Sequence, residues 1–299
     1  MTFEEQLDRA RNTDGYLAAL DQSGGSTPKA LGAYGVPAGD YVEGEESMYE
    51  AVHAMRTRII TSPAFTGDKT LGAILFENTM DRKVEGIPTS DYLWEKKKII
   101  PFLKVDKGLA TEENGVQLMK PIPGLDELLK RAKTIGIFGT KMRSVIKLAN
   151  VDGIKTIVDQ QFKIGKQIVA AGLVPILEPE VDITSPDKGK IEEILTKELL
   201  AGLDALGEGQ DMMLKLSIPT AVNQYKVLID HPKCVRVVAL SGGYSRDEAN
   251  ALLAKQDGMI ASFSRALVEG LSYGMSAEDY DKTLTASISS IYEASKKSP

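Results

Sequence analysis

Eight short apolar segments, spread along almost the whole chain, are the strongest constraint on how this sequence can fold. Continuous apolar runs of this length are typical of strands that are buried on both faces of a parallel sheet. Each segment carries a polar or charged residue at or near its end. The segments are residues 15–21, 70–78, 99–107, 135–143, 173–182, 211–217, 234–243 and 258–267. We therefore expect eight buried parallel strands.

Helical patterns separate most of these segments. Residues 191–207 place their leucine and isoleucine side chains on one helical face, and residues 124–133 ("GLDELLKRAK") repeat the pattern. Ser245 and Glu248 form a capping-box pair at the start of a further helix. The last predicted helix covers residues 277–295.

Strands that alternate with helices predict an α/β fold of the (β/α)8 TIM-barrel type. We expect the barrel to form a single catalytic domain over residues 1–299. The long first connection, residues 22–69, begins in a Gly/Pro-rich stretch and is interpreted as a mobile surface loop plus one extra helix. A doubly wound open sheet is the alternative, but no Gly-x-Gly-x-x-Gly turn follows the first strand.

Composition and charge narrow the class of function. The formal net charge is −6, and the chain lacks the dense basic run that nucleic-acid binding requires. No apolar stretch approaches the roughly 18 residues that cross a bilayer. The N-terminal stretch "MTFEEQLDRARNTDG" has no apolar segment of a secretory signal. We therefore expect a cytoplasmic protein without a membrane or nucleic-acid partner.

The inventory of metal ligands disfavours transition-metal catalysis. Cys234 is the only cysteine, and the two histidines, His53 and His231, lie far apart in the sequence. A site of several cysteines or histidines cannot be built from this set, so we expect no catalytic transition metal and no cofactor. A Mg²⁺ site made only of oxygen ligands stays open.

Polar side chains gather at the ends of the predicted strands, where barrel enzymes carry their chemistry. Side chains alternate along a strand, so Lys141 shares a face with Arg143, and Glu178 shares one with Glu180. The residues at these ends are Asp21, Lys107, Lys141, Arg143, Glu178, Glu180, Lys215, Ser241, Ser262 and Arg265. If the faces point inward, carboxylates and three lysines (Lys107, Lys141 and Lys215) converge on one cavity.

Lys215 lies in the middle of the apolar segment "DMMLKLSIPT", where a charge is costly. Desolvation and neighbouring ammonium groups both lower the pKa of a lysine, and the neutral amine is a nucleophile. Its natural reaction is with a carbonyl group, which gives a Schiff base. The iminium then draws electrons from an adjacent carbon–carbon bond. The alternative is a structural lysine that pairs with Glu178 or Glu180.

A phosphate site is predicted after the seventh and eighth strands. Ser241, Gly242 and Gly243 ("SGG") offer backbone amides after the seventh segment, and Arg265 follows the eighth. Barrel enzymes often bind phosphate at these two loops. Local Arg and Lys side chains allow an acidic protein to attract an anionic substrate.

Nearly the whole chain, from "GYLAALDQSGGS" to "SFSRAL", resembles the class I, Schiff-base-forming fructose-bisphosphate aldolases, in particular their bacterial branch. The segments "LDQSGGS", "VDKG", "TKMRSVIKL", "PILEPEVD", "MLKLS", "LSGGYS" and "SFSRAL" occur in the family's order and at its approximate spacing. The resemblance implies reversible cleavage of fructose 1,6-bisphosphate to dihydroxyacetone phosphate and glyceraldehyde 3-phosphate, in glycolysis or gluconeogenesis, without a metal. The oligomeric state, with a homo-oligomer as one option, and the preference for fructose or tagatose bisphosphate stay open.

The resemblance also implies roles for single residues. Lys215 would be the Schiff-base lysine, Glu178 the acid/base that dehydrates the carbinolamine, and Glu180 a supporting carboxylate. Asp21 would take the C4 hydroxyl proton, and Lys141 would stabilise charge beside the Schiff base. The remaining matches are Lys107, Ser23 and Ser26 near the distal phosphate, Ser241, Gly242, Gly243, Ser262 and Arg265 near the phosphate next to the ketone, and Arg143 as a further site residue.

The sequence departs from the family at three places. Gln22 stands where the better-known animal and plant enzymes have Glu, and Tyr244 replaces a small or amide residue. Those enzymes also end in a tyrosine that assists proton exchange. Here Tyr292 lies inside a predicted helix, and the group that takes this role stays open. Two alternatives are another Schiff-base aldolase or transaldolase acting on a phosphorylated sugar, and an inactive barrel that serves as a scaffold.

Overall fold

Eight parallel strands close into a barrel in the computed structural model, which describes residues 2–296. Neighbouring strands follow chain order, and the last strand pairs with the first, so the barrel sheet has no open edge. The eight strands are β1 (Tyr16–Leu20), β2 (Thr70–Leu75), β5 (Ile100–Lys104), β7 (Gly139–Ile146), β8 (Val174–Val181), β9 (Met212–Ser217), β10 (Cys234–Leu240) and β11 (Ile260–Phe263). The TIM-barrel prediction is confirmed, and the open-sheet alternative is wrong.

Three short strands lie outside the barrel proper. β3 (Lys83–Val84) pairs antiparallel with β4 (Ile87–Pro88), and β6 (Val116–Gln117) runs antiparallel to the end of β7. A 3₁₀ turn at Gly24–Ser26 follows β1, and a π-helical turn covers Tyr92–Lys96. These short elements lie in the connections between barrel strands and do not change the order of the barrel strands.

Helices connect the strands and cover the outside of the barrel. In chain order they are α1 (Phe3–Asn12), α2 (Thr27–Tyr34), α3 (Glu46–Thr61), α4 (Glu77–Met80), α5 (Thr89–Asp91), α6 (Leu125–Thr134), α7 (Val151–Ala170), α8 (Lys188–Asp204), α9 (Lys226–Ile229), α10 (Arg246–Leu253), α11 (Arg265–Val268) and α12 (Ala277–Ser295). Within residues 2–296, none of these helices combines the length and apolar character needed to cross a bilayer.

Local signals in the sequence locate several of these helices. Helix α12 covers the range predicted for it. Helix α10 begins after Ser245, whose hydroxyl accepts a hydrogen bond from the amide of Glu248 in the predicted capping box. The fourth barrel strand starts at Gly139, later than the predicted residue 135, because Gly136 has φ +83 and belongs to the turn after α6.

Two helices, not one, lie in the connection between β1 and β2. Helix α2 has Pro28 in its first turn and ends at Gly35, which has φ +87. Proline at the start and a left-handed glycine at the end are common helix signals. The prediction of a loop plus one helix over residues 22–69 is therefore wrong in this part. A Gly/Pro-rich composition conceals an eight-residue helix.

Two apolar cores result from the alternation of side chains along the barrel strands. Leu17 and Ala19 of β1 belong to an inner core that fills the barrel, together with Met213 of β9. Ala18 and Leu20 of β1 belong to an outer core between strands and helices. Successive side chains point to opposite faces, so the next inward position after Ala19 lies beyond the end of β1, above the inner core.

Helix α1 covers the N-terminal end of the barrel. The ring centroids of Phe3 and Phe138 lie 5.1 Å apart, and Ala10 belongs to the inner core. The guanidinium of Arg236 donates hydrogen bonds to the carbonyls of Ala10 (2.9 Å) and Thr13 (3.0 Å), which lie at the end of α1. One end of the barrel is therefore closed by apolar packing, and the opposite end is left for chemistry.

Cys234, the first residue of β10, should be unreactive in the folded protein. Burial raises the pKa of its thiol to about 12, so very little of the reactive thiolate exists at pH 8. Dithionitrobenzoate should leave the thiol unmodified until denaturant unfolds the chain, and the unfolded sample serves as the control. Fast modification of the native protein would show that β10 opens readily or that the thiol is accessible.

Candidate active site

A chain of buried ammonium and carboxylate groups lies at the C-terminal ends of the barrel strands. The Nζ of Lys141 is 2.6 Å from Oδ2 of Asp21 and 2.9 Å from Oε2 of Glu178. The other oxygen of Glu178, Oε1, is 3.1 Å from the Nζ of Lys215. All four side chains are at least nine-tenths buried. The structure thus brings together four residues predicted as catalytic, one from the end of β1 and three from β7, β8 and β9.

Strand register explains why these side chains meet. Strands β8 and β9 pair with Leu177 opposite Leu214, so the next residues, Glu178 and Lys215, lie side by side. Leu177 and Leu214 belong to the outer core, which turns Glu178 and Lys215 inward by the alternation of the strands. The expectation that these faces point into the barrel agrees with the observed contacts.

Lys104, and not Lys107, is the lysine that β5 contributes to the barrel interior. The ammonium of Lys104 donates hydrogen bonds to the carbonyl and to Oδ1 of Asp106, both at 2.7 Å. The side chain of Lys107 is 43% exposed and pairs with Glu77, whereas that of Lys104 is only 13% exposed.

The difference in exposure between Lys104 and Lys107 follows from the alternation of side chains along the strand. Lys104 and Asp106 share the inward face with Phe102 of the inner core, whereas Lys107 comes one position out of step. In the structure Lys104 occupies the inward position on β5 for which Lys107 was expected. The role of Lys107 near the distal phosphate stays a prediction.

Glu180 and Arg143 form a second ion pair above the first. The Nε of Arg143 donates a hydrogen bond to Oε2 of Glu180, and the backbone amide of Arg143 donates one to Asp106. Glu180, predicted as a support for Lys215, contacts Arg143 instead. Arg143 is 39% exposed and therefore faces the opening of the barrel.

Buried charges fix the protonation states of Asp21 and Lys141. Burial alone would raise the pKa of the Asp21 carboxyl, but the ammonium groups of Lys141, Lys215 and Lys104 lower it to about 2. Burial alone would lower the pKa of Lys141, yet the carboxylates of Asp21 and Glu178 raise it above its usual value. At neutral pH Asp21 is a carboxylate and Lys141 is an ammonium ion.

The predicted phosphate residues also come together. A Cβ added at Gly243, which has φ +130, would lie 3.7 Å from Nη2 of Arg265, so the backbone of the "SGG" turn runs beside this guanidinium. Arg265 is exposed and Ser241 is buried. Ser262 is buried, and its hydroxyl has no hydrogen-bond partner in the described part of the chain. An exposed cation beside open backbone amides suits an anionic group.

Ser23 and Ser26 lie in the turn that follows Asp21. The hydroxyl of Ser26 donates a hydrogen bond to the carbonyl of Ser23 (2.8 Å) and accepts one from its amide (3.0 Å). These contacts stabilise the 3₁₀ turn beside the site. Their predicted place near the distal phosphate stays a prediction.

The donor set at the barrel mouth consists of ammonium, guanidinium and carboxylate groups. Among residues 2–296, no cluster of three or more His, Cys, Asp or Glu side chains could hold a metal ion. An amine that contacts a carboxylate, beside a fixed ammonium, can attack a carbonyl group and exchange protons. The fold and this donor set define a barrel enzyme that is built for Schiff-base chemistry.

Similar structures share this fold. Fructose-bisphosphate aldolase of Plasmodium falciparum, crystallised with TRAP and a small-molecule inhibitor, superposes with a TM-score of 0.75 at 24% sequence identity, over 99% of this chain and 96% of that one. Cgl0159 of Corynebacterium glutamicum superposes with a TM-score of 0.53 at 12% identity, over 98% and 92% of the two chains. At these identities the likeness shows the fold alone.

Sequence comparison identifies the family. A sequence model of the class-I fructose-bisphosphate aldolases matches residues 12–216. A protein of Porphyromonas gingivalis named "Fructose-bisphosphate aldolase class 1" is 59% identical over 294 residues, which cover 98% of this chain and 99% of that protein. The chain belongs to the class I fructose-bisphosphate aldolase family. Its reaction is the cleavage of fructose 1,6-bisphosphate through a lysine Schiff base, which excludes the transaldolase alternative.

Removal of the Lys141 ammonium should destabilise the fold in a pH-dependent way. Lys141→Met leaves two buried carboxylates without this partner, which costs about 3–5 kcal/mol at neutral pH. The pKa of Asp21 is lowered in the folded state, so its stabilising effect is complete above pH ~4 and is lost as the pH falls toward 2. Chemical denaturation at several pH values should show a difference from wild type that shrinks in this window.

Lys155→Met is the matched control for this prediction. Lys155 lies on the exposed face of α7 and pairs with Asp159, and its side chain is 57% exposed. This variant should unfold at nearly the wild-type denaturant concentration at every pH. Equal stability of Lys141→Met and Lys155→Met at neutral pH would contradict the proposed importance of the buried cluster.

Proposed function

We propose that Lys215 is the lysine that forms the Schiff base, with Glu178, Lys141 and Asp21 as its proton-handling partners. The observation that supports this assignment is the continuous contact from Lys215 through Glu178 and Lys141 to Asp21, with successive N···O distances of 3.1, 2.9 and 2.6 Å. A chain of this kind allows one amine to react while the neighbouring charges stay balanced.

The difference in charge environment between the two lysines favours Lys215 as the nucleophile. Lys141 contacts two carboxylates, and its pKa is raised, so it holds its proton. Lys215 contacts only one of these carboxylates, and it shares that one with Lys141. A permanent ammonium beside the reacting amine also stabilises the negative charge that develops on the substrate oxygen.

The proposed reaction begins at the C2 ketone of fructose 1,6-bisphosphate. Glu178 first accepts a proton from the Lys215 ammonium, and the neutral amine attacks C2 to form a carbinolamine. Glu178 then returns this proton to the departing hydroxyl, so that water leaves and an iminium remains. Asp21 then accepts the C4 hydroxyl proton. The C3–C4 bond breaks, and its electron pair moves through C3 toward the iminium nitrogen to give an enamine.

Release of the two products completes the cycle. Breakage of the C3–C4 bond converts C4 into the aldehyde of glyceraldehyde 3-phosphate. Protonation of the enamine at C3 restores the iminium, and water hydrolyses it to dihydroxyacetone phosphate and the free Lys215 amine. Asp21, whose pKa is lowered to about 2, is available as a carboxylate at neutral pH.

Phosphate groups hold the substrate in register with Lys215. We assign the phosphate next to the ketone to the amides of Gly242 and Gly243 after β10 and to the guanidinium of Arg265 after β11, which lies beside Gly243. Ser241 and Ser262 supply hydroxyls at the same strand ends. Two fixed phosphates position C2 for attack, which is worth several kcal/mol of the barrier in comparable reactions.

The cellular setting follows from this chemistry. The partners are a sugar bisphosphate and two triose phosphates, which are cytoplasmic metabolites, and a net charge of −6 gives no electrostatic reason to bind nucleic acid. We therefore assign the protein to the cytoplasm. The same net charge limits non-specific association with anionic surfaces.

Lys215 should carry the covalent label when the Schiff base is trapped. Borohydride reduction in the presence of dihydroxyacetone phosphate should add one triose phosphate and abolish cleavage, and peptide mapping should locate the adduct on Lys215. Lys215→Met should remove both labelling and cleavage while the protein stays folded, because Met fills similar space without an amine and Glu178 keeps its contact with Lys141. Lys226→Met, at an exposed ion pair on α9, is the control and should label normally.

Substitution of Arg265 should weaken the binding of substrate phosphate. A charge-assisted hydrogen bond to phosphate contributes about 1.5–3 kcal/mol, so Arg265→Ala should lower kcat/KM for the bisphosphate by roughly 10- to 150-fold. Arg11→Ala is the control, because Arg11 pairs with Asp211 at the closed end of the barrel. If Arg265→Ala and Arg11→Ala have the same kcat/KM, Arg265 plays no part in phosphate binding.

A further inference from the structure

Arg56 of helix α3 is a fully buried guanidinium with no carboxylate in ion-pairing contact among residues 2–296. Its donors reach three neutral acceptors. Nη1 donates to the hydroxyl of Thr79 at 2.7 Å, and Nη2 donates to the backbone carbonyl of Gln22 at 2.5 Å and to its side-chain oxygen at 3.4 Å. Gln22 is the residue that follows Asp21. The guanidinium therefore holds the backbone carbonyl of the residue that directly follows the proposed base.

A buried charge that contacts no opposite charge lowers the stability of the folded protein. Apolar residues of similar volume usually stabilise a core at least as well as buried charges do. Burial lowers the pKa of Arg56 to about 10, while the charge of Asp21 opposes this effect, so the guanidinium stays charged at neutral pH. The Nε of Arg56 lacks a hydrogen-bond partner in the described chain, which adds to the cost. Packing alone does not account for an arginine at this position.

Gln22 extends the contact from Arg56 to the phosphate side of the site. Its side-chain amide donates a hydrogen bond to the hydroxyl of Ser264, while its side-chain oxygen faces Arg56. Ser264 precedes Arg265 and caps the start of α11, where its carbonyl accepts hydrogen bonds from the amides of the first turn. One guanidinium is thus linked through Gln22 both to the turn that carries Asp21 and to the turn that carries Arg265.

We propose that Arg56 is a positioning residue for the cleavage step, which acts through Gln22 to hold Asp21 at a fixed distance from the phosphate site at Arg265. The inference rests on the function proposed above for Asp21 and Arg265. Bonding of the C4 hydroxyl to Asp21 requires a carboxylate that is placed to within a fraction of an ångström of its productive position. Thr79 completes the support, because it fixes the other arm of the guanidinium to helix α4.

Two assays of the same variant, cleavage of the bisphosphate and borohydride trapping of dihydroxyacetone phosphate, distinguish this positioning role from a purely structural one. Cleavage of fructose 1,6-bisphosphate needs Asp21 to accept the C4 proton. Trapping of dihydroxyacetone phosphate by borohydride needs Lys215 and the phosphate site but involves no C4 hydroxyl. Asp21→Asn should therefore abolish cleavage and keep trapping, and it sets the reference for a loss that is confined to the base.

Arg56→Met should show the same pattern as Asp21→Asn, with a loss of cleavage and little loss of trapping. We expect kcat for cleavage to fall by about 10- to 100-fold, with a loss of trapping rate below about threefold. Arg56→Lys should restore part of kcat, since one ammonium can reach the carbonyl of Gln22 but cannot also reach Thr79. Gln22→Ala keeps the backbone carbonyl and removes the link to Ser264, so it should raise KM more than it lowers kcat.

Arg58→Met is the matched control on the same helix. Arg58 donates hydrogen bonds to the carbonyls of Tyr273 (3.1 Å), Met275 (2.6 Å) and Ser276 (3.2 Å), away from the site. It should lower the thermal midpoint and leave the ratio of cleavage to trapping unchanged.

Equal losses of cleavage and trapping in Arg56→Met, or no loss in either, would overturn the proposal. If Arg56→Met does not fold, the same ratio in Arg56→Lys decides the question, and an unchanged ratio there overturns it as well. Failure of the proposed function is distinguishable, because it would appear as an absence of trapping in the wild-type protein.

Discussion

The ammonium group of Lys141 is the charge around which the active end of the barrel is organised. It lies between the carboxylates of Asp21 and Glu178, 2.6 and 2.9 Å away, in a region with almost no access to water. A buried charge is costly unless an opposite charge lies in contact with it. Asp21 comes from the end of β1, and Glu178 from β8, so the barrel must close in one register for this balance to exist. Catalytic geometry and barrel closure are therefore one constraint.

The positions of the carboxylates also give the three lysines of the barrel interior different charge environments. Lys104 contacts Asp106, and Lys141 contacts Asp21 and Glu178. The carboxylates raise the pKa of Lys141, so this residue is a fixed positive charge. Lys215 has a single carboxylate neighbour, Glu178, which it shares with Lys141. This inequality favours Lys215 over Lys141 as the proposed nucleophile. Substitution of any of the surrounding carboxylates would alter which lysine is free to react.

Much of the fold could be predicted from the sequence, because the signals are local and regular. Apolar runs located all eight barrel strands, and capping and periodicity located α10 and α12. The failures have local causes as well. Helix α2 was concealed by the Gly/Pro-rich composition of its surroundings, and β7 starts later than its apolar run because a left-handed glycine lengthens the preceding turn.

Prediction of the site was limited by information that is not local. The motif "VDKG" points to Lys107. The alternation of side chains along β5, counted from the inward-facing Phe102, points instead to Lys104. Glu180 was assigned to Lys215, and its contact with Arg143 depends on the stagger between β7 and β8. No sequence signal marked Arg56. An arginine on a helix normally reads as a surface residue, and only the tertiary structure shows that it is buried beside Gln22.

The seam at which β1 pairs with β11 closes the barrel, and it determines when during synthesis the proposed site can form. The two strands pair through only Leu17 with Ser262 and Ala18 with Phe263, which join residues from opposite ends of the chain. Asp21 and Arg265 lie on either side of this seam. During synthesis, Asp21 and Arg265, the proposed base and the proposed phosphate ligand, cannot come together until the final strand has left the ribosome. A chain truncated before β11 lacks both the strand that pairs with β1 and Arg265, so we expect truncated products of translation to lack the closed barrel on which the proposed site depends.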